Sequence, residues 1–288
     1  MLYLILSIIC SVSVGILLKI AKKYAVDILQ VVTLNYAFAI ALCYFSFSPD
    51  VAVIDENSPW EIYIPLGVLL PSVFLILASS IKKMGIVKTD IAQRLSLFIP
   101  ILAAYFIFKE DFSQLKFIGL AVAFPAMILI LSKNKSEDSS QKKWIYPALV
   151  LLGFGIIDVF FKQIALQKNF PYTTSLFIVF CIAFVVALLF TAYSVISQNK
   201  KIKAINLLFG SILGILNFGN ILFYLKAHKA FSENPSTVFA SMNMGVIILG
   251  SLAGILLFKE KVTLKNYIGI ALALIAIILI TFSQLQKA

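Results

Sequence analysis

Long apolar runs alternate with short polar connectors along the whole chain, and this pattern predicts ten helices. Each run is close to the roughly 20 residues with which a helix crosses the hydrocarbon core of a bilayer. The first run lacks a basic n-region and a small-residue cleavage site, so it is predicted to be a membrane helix rather than a signal peptide. The predicted spans are 2–20, 27–47, 61–81, 90–108, 114–132, 144–166, 172–196, 204–226, 237–258 and 264–283.

The composition points to the same environment. Of the 288 residues, 61% are hydrophobic and 13% are charged, whereas soluble domains have about 25% charged residues. The net charge of +11 comes mainly from lysines in the connectors, which suits an anionic membrane surface and not a nucleic acid. We expect an all-α, multi-pass protein of the bacterial cytoplasmic (inner) membrane. Its expected partners are the lipid bilayer and a small-molecule substrate, without nucleic acid, and a homodimer is a possible assembly.

One charged motif occurs twice, 150 residues apart. Phe108-Lys109-Glu110 corresponds to Phe258-Lys259-Glu260, and Ile118-Gly119 corresponds to Ile268-Gly269. Because charged residues and glycine are not apolar filler, the match indicates an internal duplication.

Each copy of this repeat holds five predicted helices. Because five is odd, the second copy enters the membrane from the opposite side, which predicts inverted repeats with a substrate site near the midplane between them. The predicted organisation is a first repeat over 1–132, a polar linker over 133–143 and a second repeat over 144–288.

The Phe-Lys-Glu motif has a local explanation as a tight turn between the fourth and fifth helices of each repeat. Lys109 follows one helix C-terminus and Glu110 precedes the next N-terminus, where the helix macrodipole favours these charges. Lys259 and Glu260 are placed in the same way in the second repeat. A role as a gate is the alternative. The N-caps predicted for the two following helices are Ser113 and Thr263.

These motifs resemble the EamA type of the drug/metabolite transporter (DMT) superfamily. The resemblance rests on Lys109-Glu110 through Gly119 and on Lys259-Glu260 through Gly269. They match a glutamate turn after the fourth helix of each repeat, followed by a Ser or Thr and a glycine-containing fifth helix. The family usually has glycine before the glutamate, where this chain has lysine in both halves. The resemblance implies two inverted five-helix bundles, with helices one to four of each half around a central cavity.

Two arguments about orientation disagree. Sixteen lysines lie in or beside the odd-numbered connectors, against seven toward the other side of the membrane. The positive-inside rule therefore favours odd connectors in the cytoplasm and both termini outside, and we give this count slightly more weight. The family resemblance implies that both termini are inside.

The sixth predicted helix carries two charges at membrane depth. Asp158 and Lys162 are four residues apart in GFGIIDVFFKQIA and share one helical face. A charge at mid-helix costs about 2.5–3.5 kcal/mol on insertion scales, so this face is expected to look into the bundle or a wet cavity. Asp158 is predicted to line the site and to carry a coupling proton, and an intrahelical salt bridge with Lys162 is the alternative. Lys162 is near enough to the helix end to snorkel.

Other polar residues inside apolar runs are candidate substrate-lining residues, with hydrogen bonding between helices as the alternative. Asn217, Asn220 and Tyr224 share one face of the eighth predicted helix. The complete set of candidates is Ser11, Asn35, Tyr36, Gln93, Arg94, Asp158, Lys162, Asn217, Asn220, Tyr224 and Asn243.

Three further predictions concern individual polar residues. Gln93 corresponds to Asn243 under the repeat offset, and the two amides are predicted to face each other across the pseudo-axis. Arg94 either attracts an anionic group of the substrate or snorkels, and snorkelling is slightly favoured. His228 is the only histidine, and it is predicted to be an interfacial loop residue.

Small residues and prolines predict features of packing. Gly210 and Gly214 are four residues apart, as are Gly250 and Gly254, which is typical of close helix contacts. Prolines inside apolar runs either kink the third, fourth and fifth helices or are simply tolerated in a bundle. These prolines are Pro65, Pro71, Pro100 and Pro125.

These features favour a secondary active transporter of small metabolites or drugs, working by alternating access, with export and proton coupling as further expectations. The chain contains no P-loop, so ATP is not expected to be the direct energy source. One histidine, dispersed cysteines and no clustered carboxylates argue against an enzyme, a metal site or a cofactor. The alternative is a non-catalytic membrane scaffold or a lipid-handling, flippase-like protein.

Overall fold

The computed structural model describes residues 1–21, 23–24, 26–84, 89, 92–93, 95–131, 145–198, 201–258 and 263–285. Within these ranges the chain forms ten α-helices, a short 3-10 helix at Val51–Val53 and no strand. The α-helices are α1 (Leu2–Ala21), α2 (Ile28–Phe47), α3 (Trp60–Met84), α4 (Phe98–Phe106), α5 (Gln114–Leu131), α6 (Ile145–Leu166), α7 (Tyr172–Gln198), α8 (Ala204–Ala230), α9 (Pro235–Phe258) and α10 (Leu264–Leu285).

The all-α prediction is confirmed, and the helices lie close to the predicted spans, with two exceptions. Helix α8 continues to Ala230, four residues beyond its predicted end, because no helix breaker precedes Phe231. Helix α9 then begins at Pro235. Proline suits the first turn of a helix because an N–H group at that position would have no acceptor within the helix. The α8–α9 turn therefore consists of residues 231–234 only.

The second exception is the predicted span 90–108, which a turn interrupts: Ala92, Gln93 and Leu95 are helical, and α4 begins only at Phe98. Ser96 and Leu97 form a turn just before it. Pro100 has no N–H to donate to the carbonyl of Ser96, so the helical bonding is weakened at this point. By contrast, α3 continues through Pro65 and Pro71, and α5 continues through Pro125.

Seven of the described helices are long and apolar enough to cross a membrane: α1, α2, α3, α6, α7, α8 and α9. Shorter apolar helical segments lie at Gln114–Ala126 in α5 and Leu264–Ile280 in α10.

Helix α8 is packed on two sides by helices from the N-terminal half of the chain. Helix α8 contacts α1 and α2. In the same way, α3 of the N-terminal half contacts α6 and α7 of the C-terminal half. Gly210 and Gly214 lie at the contact between α8 and α2, as predicted. A Cβ atom at Gly214 would lie 2.7 Å from Phe38 Cβ and 2.8 Å from the Asn35 carbonyl oxygen, so only glycine allows this approach.

A Cβ atom at Gly250 would meet no other atom within 4 Å, so the packing prediction for this residue is wrong.

Helices α5 and α10 pack against each other in an antiparallel pair. A Cβ atom at Gly119, near the start of α5, would lie 2.7 Å from Ile280 Cγ1, near the end of α10. At the opposite end of the pair, Asn266 Nδ2 donates to the Leu129 carbonyl at 3.1 Å. Ser113 and Thr263 stand at the predicted N-cap positions of these helices. The Ser113 hydroxyl accepts from the Lys116 N–H at 3.2 Å.

Candidate functional site

Asp158 and Tyr224 meet inside the helical bundle. Both lie on helices that cross the membrane, α6 and α8, and the Tyr224 hydroxyl donates to Asp158 Oδ1 at 3.0 Å. The Tyr224 side chain is buried and its ring also contacts Phe161 of α6 edge-on, with 6.3 Å between ring centroids. The sequence selected both residues as candidates on separate helices, and the structure brings them together.

Lys162 is completely buried one turn further along α6. Its ammonium group donates to the carbonyl oxygens of Ser232 at 2.8 Å and His228 at 3.5 Å, where α8 ends. A cation is favoured at this position because the last carbonyls of a helix carry a partial negative charge. The snorkelling prediction for Lys162 is therefore wrong. Within the described chain, the alternative salt bridge between Asp158 and Lys162 is also not formed.

Glu110, in the connection between α4 and α5, is buried beside the first turn of α9. It therefore lies on the opposite side of the α8–α9 turn from Lys162. Its carboxylate accepts from the Ser236 N–H at 2.9 Å and from the Ser236 hydroxyl at 2.8 Å. The same carboxylate forms an ion pair with the buried Lys116. The prediction that Glu110 serves a helix N-terminus is correct in kind, but the helix that it caps is α9 and not the adjacent α5.

Two buried charges thus hold the α8–α9 turn from opposite sides. Lys162 of α6 binds the carbonyl end of α8, and Glu110 of the α4–α5 hairpin binds the amide end of α9. Lys116 adds a hydrogen bond to Asn234 Oδ1 at 3.2 Å. The turn is therefore fixed by charges whose signs match the two helix dipoles.

His228 is fully buried in α8, so the prediction of an interfacial loop residue is wrong. Its ring lies between Tyr224, with centroids 4.5 Å apart, and Phe239 of α9, at 4.7 Å. Neither ring nitrogen has a hydrogen-bond partner among the described residues. Its sequence neighbours are lysines, which suggested a loop, but it lies four residues from Tyr224 and hence on the same helical face.

Several other candidates are buried with unpaired polar atoms. Asn35 and Tyr36 of α2 are completely buried, and both Asn35 amide atoms and the Tyr36 hydroxyl lack a partner within the described ranges. Asn217 Nδ2 shares this condition, as does the hydroxyl of Ser241, a residue that the sequence analysis did not select. Buried polar groups are nearly always hydrogen-bonded in proteins, so this set is unusual.

The remaining candidates do not join this set. Asn220 Oδ1 accepts from the Ser7 hydroxyl at 2.8 Å, so Asn220 points toward α1 while Tyr224 points toward α6. Asn243 donates to the Phe239 carbonyl of its own helix at 3.1 Å. Gln93 is half-buried and is not hydrogen-bonded to Asn243 in the described structure. Ser11 of α1 is also half-buried.

Three candidates lie outside the described residues, namely Arg94, Lys259 and Glu260. Lys109, the remaining residue of the repeat motif, is exposed and has a positive φ of 53° after the end of α4. In the part of the chain that is described, no group of three or more His, Cys, Asp or Glu side chains is arranged to hold a metal ion.

Comparison with known proteins identifies the family. The profile of the EamA-like transporter family matches residues 142–282, which include α6 to α9 and most of α10. The chain belongs to the EamA-like transporter family. This family is part of the DMT superfamily and consists of transporters, not enzymes, so the recognition from the repeat motif is confirmed. Its members act on small molecules in a lipid environment, in agreement with a multi-pass membrane protein.

Two further similarities extend over nearly the whole chain of this EamA-like protein. A protein of Haemophilus influenzae, described as uncharacterized, is 42% identical over 95% of each chain. A protein with a solved crystal structure has the same fold with a TM-score of 0.74, over 98% of this chain and 96% of that chain. The sequence identity to that structure is 14%, so this similarity concerns the fold alone.

Proposed function

We propose that this EamA-like protein is a secondary active transporter that exports a small metabolite or drug across the bacterial inner membrane by alternating access. The observation that carries the proposal is the Asp158–Tyr224 hydrogen bond between α6 and α8, next to the buried His228, whose ring nitrogens are unpaired within the described residues. Ionisable residues at membrane depth are costly and usually belong to substrate or ion pathways.

Alternating access requires two halves that move against each other, and the helix contacts support the predicted inverted repeat over 1–132 and 144–288. In the predicted repeat, each helix of the first half has its counterpart five helices later, so α2 corresponds to α7 and α3 to α8. The contact of α2 with α8 is therefore equivalent to the contact of α7 with α3, and both occur. The contact of α1 with α8 corresponds in the same way to that of α6 with α3.

Helices α5 and α10 are themselves counterparts, and their contact is consistent with the pseudo-symmetry. Ala123 and Ala126 of α5 are completely buried, as are their equivalents Ala273 and Ala276 of α10. Equivalent residues from the two halves are therefore buried alike along an antiparallel pair, as expected for an isologous interface.

Polar pairs also occur at equivalent helix ends. Asn206 Nδ2 donates to Gln30 Oε1 at 2.6 Å where α8 and α2 begin. The hydroxyls of Tyr63 and Ser175 lie 2.6 Å apart where α3 and α7 begin. Each pair joins the N-terminal ends of two packed helices, and the two helix pairs are counterparts in the predicted repeat. This similarity supports the proposal that the chain contains two copies of one five-helix unit.

Asp158 is the residue proposed to carry the coupling proton. It accepts a hydrogen bond from Tyr224, and the charged group nearest to it along α6 is Lys162. Intramembrane carboxylates in transporters commonly take up and release protons during the transport cycle.

The test begins with a thermal-shift screen of the purified protein against sugars, nucleosides, amino acids, phosphorylated metabolites and cationic drugs. A ligand at 100 times its Kd raises the stability of the native state by about 2.7 kcal/mol. Compounds that bind are then assayed in proteoliposomes with an imposed pH gradient. We expect proton-driven transport in the wild type and its loss in Asp158→Asn.

The matched control is Asp50→Asn, because Asp50 caps the exposed 3-10 helix and an asparagine can cap it equally well. Transport by Asp158→Asn with unchanged dependence on the pH gradient would rule out coupling through this residue. Binding of compounds without any transport would favour the scaffold or lipid-handling alternative.

A further inference from the structure

Among the described residues, the formal charges around the Asp158–Tyr224 contact sum to zero when Asp158 is ionised. Asp158 and Lys162 have opposite formal charges, and each is bonded to a protein group: Asp158 to the Tyr224 hydroxyl, Lys162 to main-chain carbonyls. The adjacent pair of Glu110 and Lys116 is likewise neutral as a unit. A substrate with a net charge would therefore find no uncompensated partner among these described groups and would have to give up its hydration at a high cost.

The groups that remain available are uncharged donors and acceptors. Within the described residues they include the amide of Asn35, the hydroxyl of Tyr36, Nδ2 of Asn217 and both ring nitrogens of His228. Each belongs to a side chain that is more than nine-tenths buried. A buried polar group without a partner costs about 1–3 kcal/mol of stability, so retention of several such groups indicates that a ligand satisfies them at another stage of the cycle.

Two of these side chains belong to α8 and two to α2, which packs against it. Asn217 and His228 belong to α8, and His228 contacts the Tyr224 ring that reaches Asp158. Asn35 belongs to α2, where its backbone meets α8 at Gly214, one turn before Asn217. Tyr36, the residue after Asn35 on α2, contacts Phe180 of α7 with ring centroids 6.4 Å apart.

We propose that this site takes small polar molecules of no net charge, either neutral or zwitterionic, and that the His228 imidazole hydrogen-bonds the substrate directly. This inference rests on the proposed transport function and specifies its substrate class. His228 is suited to this role because a neutral imidazole offers one donor and one acceptor on a single rigid ring. The flanking rings of Tyr224 and Phe239 hold that ring in place.

The substrate class is tested with sets of related probes that differ in charge, the first of which is also closely matched in size. One set is butyramide, γ-aminobutyrate, butyrate and butylamine; two further pairs are ribose with ribose 5-phosphate and adenosine with adenosine monophosphate. Binding to the full-length protein in detergent is followed by thermal shift. We expect stabilisation by uncharged or zwitterionic members of these sets. Stabilisation by a charged member in preference to its uncharged or zwitterionic counterpart, or no stabilisation by any probe, would overturn the inference.

His228→Leu separates a role in binding from a structural role. Replacing an unpaired buried imidazole by an apolar side chain should leave the ligand-free melting temperature unchanged or raise it. The Kd for the best probe should nevertheless rise about tenfold, equivalent to about 1.4 kcal/mol. His228→Gln keeps a donor and an acceptor and should bind more tightly than His228→Leu. Lys229→Gln, a change at the adjacent exposed residue, is the control and should bind like the wild type.

An unchanged Kd in His228→Leu would overturn the role of the imidazole. Transport assays on the same probes distinguish this inference from the function on which it rests. Transport of a charged probe in preference to its net-neutral counterpart would overturn the inference and leave the transporter function intact. Binding of a net-neutral probe that is never transported would support the substrate class and contradict the transporter function.

Discussion

Glu110 and Ser236 are 126 residues apart in the sequence, yet the Glu110 carboxylate accepts hydrogen bonds from both the N–H and the hydroxyl of Ser236. This contact joins the α4–α5 hairpin to the first turn of α9. The charged motif that first indicated the duplication thus has a tertiary partner in the other half of the protein.

The first prediction concerns the buried ion pair of Glu110 and Lys116. Glu110→Gln leaves the Lys116 ammonium buried without its counter-ion, and removal of one partner of a buried pair typically costs about 3–5 kcal/mol. We expect a lower melting temperature in detergent, measured by tryptophan fluorescence or a thiol-reactive dye.

Two controls accompany this measurement. Lys109→Gln changes the adjacent exposed residue and should have little effect. The double variant Glu110→Gln with Lys116→Met should be less destabilised than the sum of the single variants, because no unpaired charge remains. Additive losses in this cycle would contradict an energetic coupling between the two residues.

The second prediction concerns Lys162 at the end of α8. Lys162→Met removes the donor to the Ser232 and His228 carbonyls, and hydrogen bonds to charged groups contribute about 1.5–3 kcal/mol. We expect a measurable loss of thermal stability, with the exposed Lys168→Met as the neutral control. Wild-type stability of Lys162→Met would indicate that the side chain reaches water, as in the snorkelling hypothesis.

The third prediction compares two glycines that the sequence did not distinguish. Gly214→Ala places a methyl group 2.7 Å from Phe38 Cβ and should destabilise the protein by about 1–3 kcal/mol through overpacking. Gly250→Ala meets nothing within 4 Å and should be neutral or stabilising by up to about 1 kcal/mol through helix propensity. Equal melting temperatures for the two variants would contradict the close contact of α8 with α2.

The fourth prediction tests the inverted repeat and the orientation together. After replacement of the three cysteines by serine, Lys109→Cys and Lys265→Cys are labelled with a membrane-impermeant thiol reagent in spheroplasts and in inverted vesicles. Both positions are exposed and follow the fourth and ninth helices, so the inverted repeat requires labelling from opposite sides. The lysine count predicts that position 265 is cytoplasmic. Labelling of both positions from one side would contradict the inverted repeat.

The polar residues of the candidate site illustrate the limits of local pattern. Asp158 and Tyr224 were both identifiable because a polar group in an apolar run is conspicuous. Their contact with each other could not be predicted, because the spacing of residues within α6 or within α8 does not say how the two helices are placed relative to one another. For Lys162 the sequence offers only Asp158 or water as partners in its own neighbourhood, whereas its actual partners are carbonyls 66 and 70 residues away.

The wrong prediction for His228 has a related reason. Two lysines within two residues of it are typical of a connector, and a helix that ends at residue 226 does not include the face that His228 shares with Tyr224. The helix instead continues for another turn, which places the imidazole inside the bundle. The error in one helix end therefore caused the error in the assignment of the residue.

The sequence by itself determined the membrane environment, the approximate helix ends and the family, because hydrophobic run length and the spacing of a repeated charged motif are properties of the chain. The tertiary structure alone decided which polar groups are paired and which are left unpaired. Lys162 and Glu110 take their partners from the helix ends nearest to them in space, and these helix ends lie 66 to 126 residues away in the sequence.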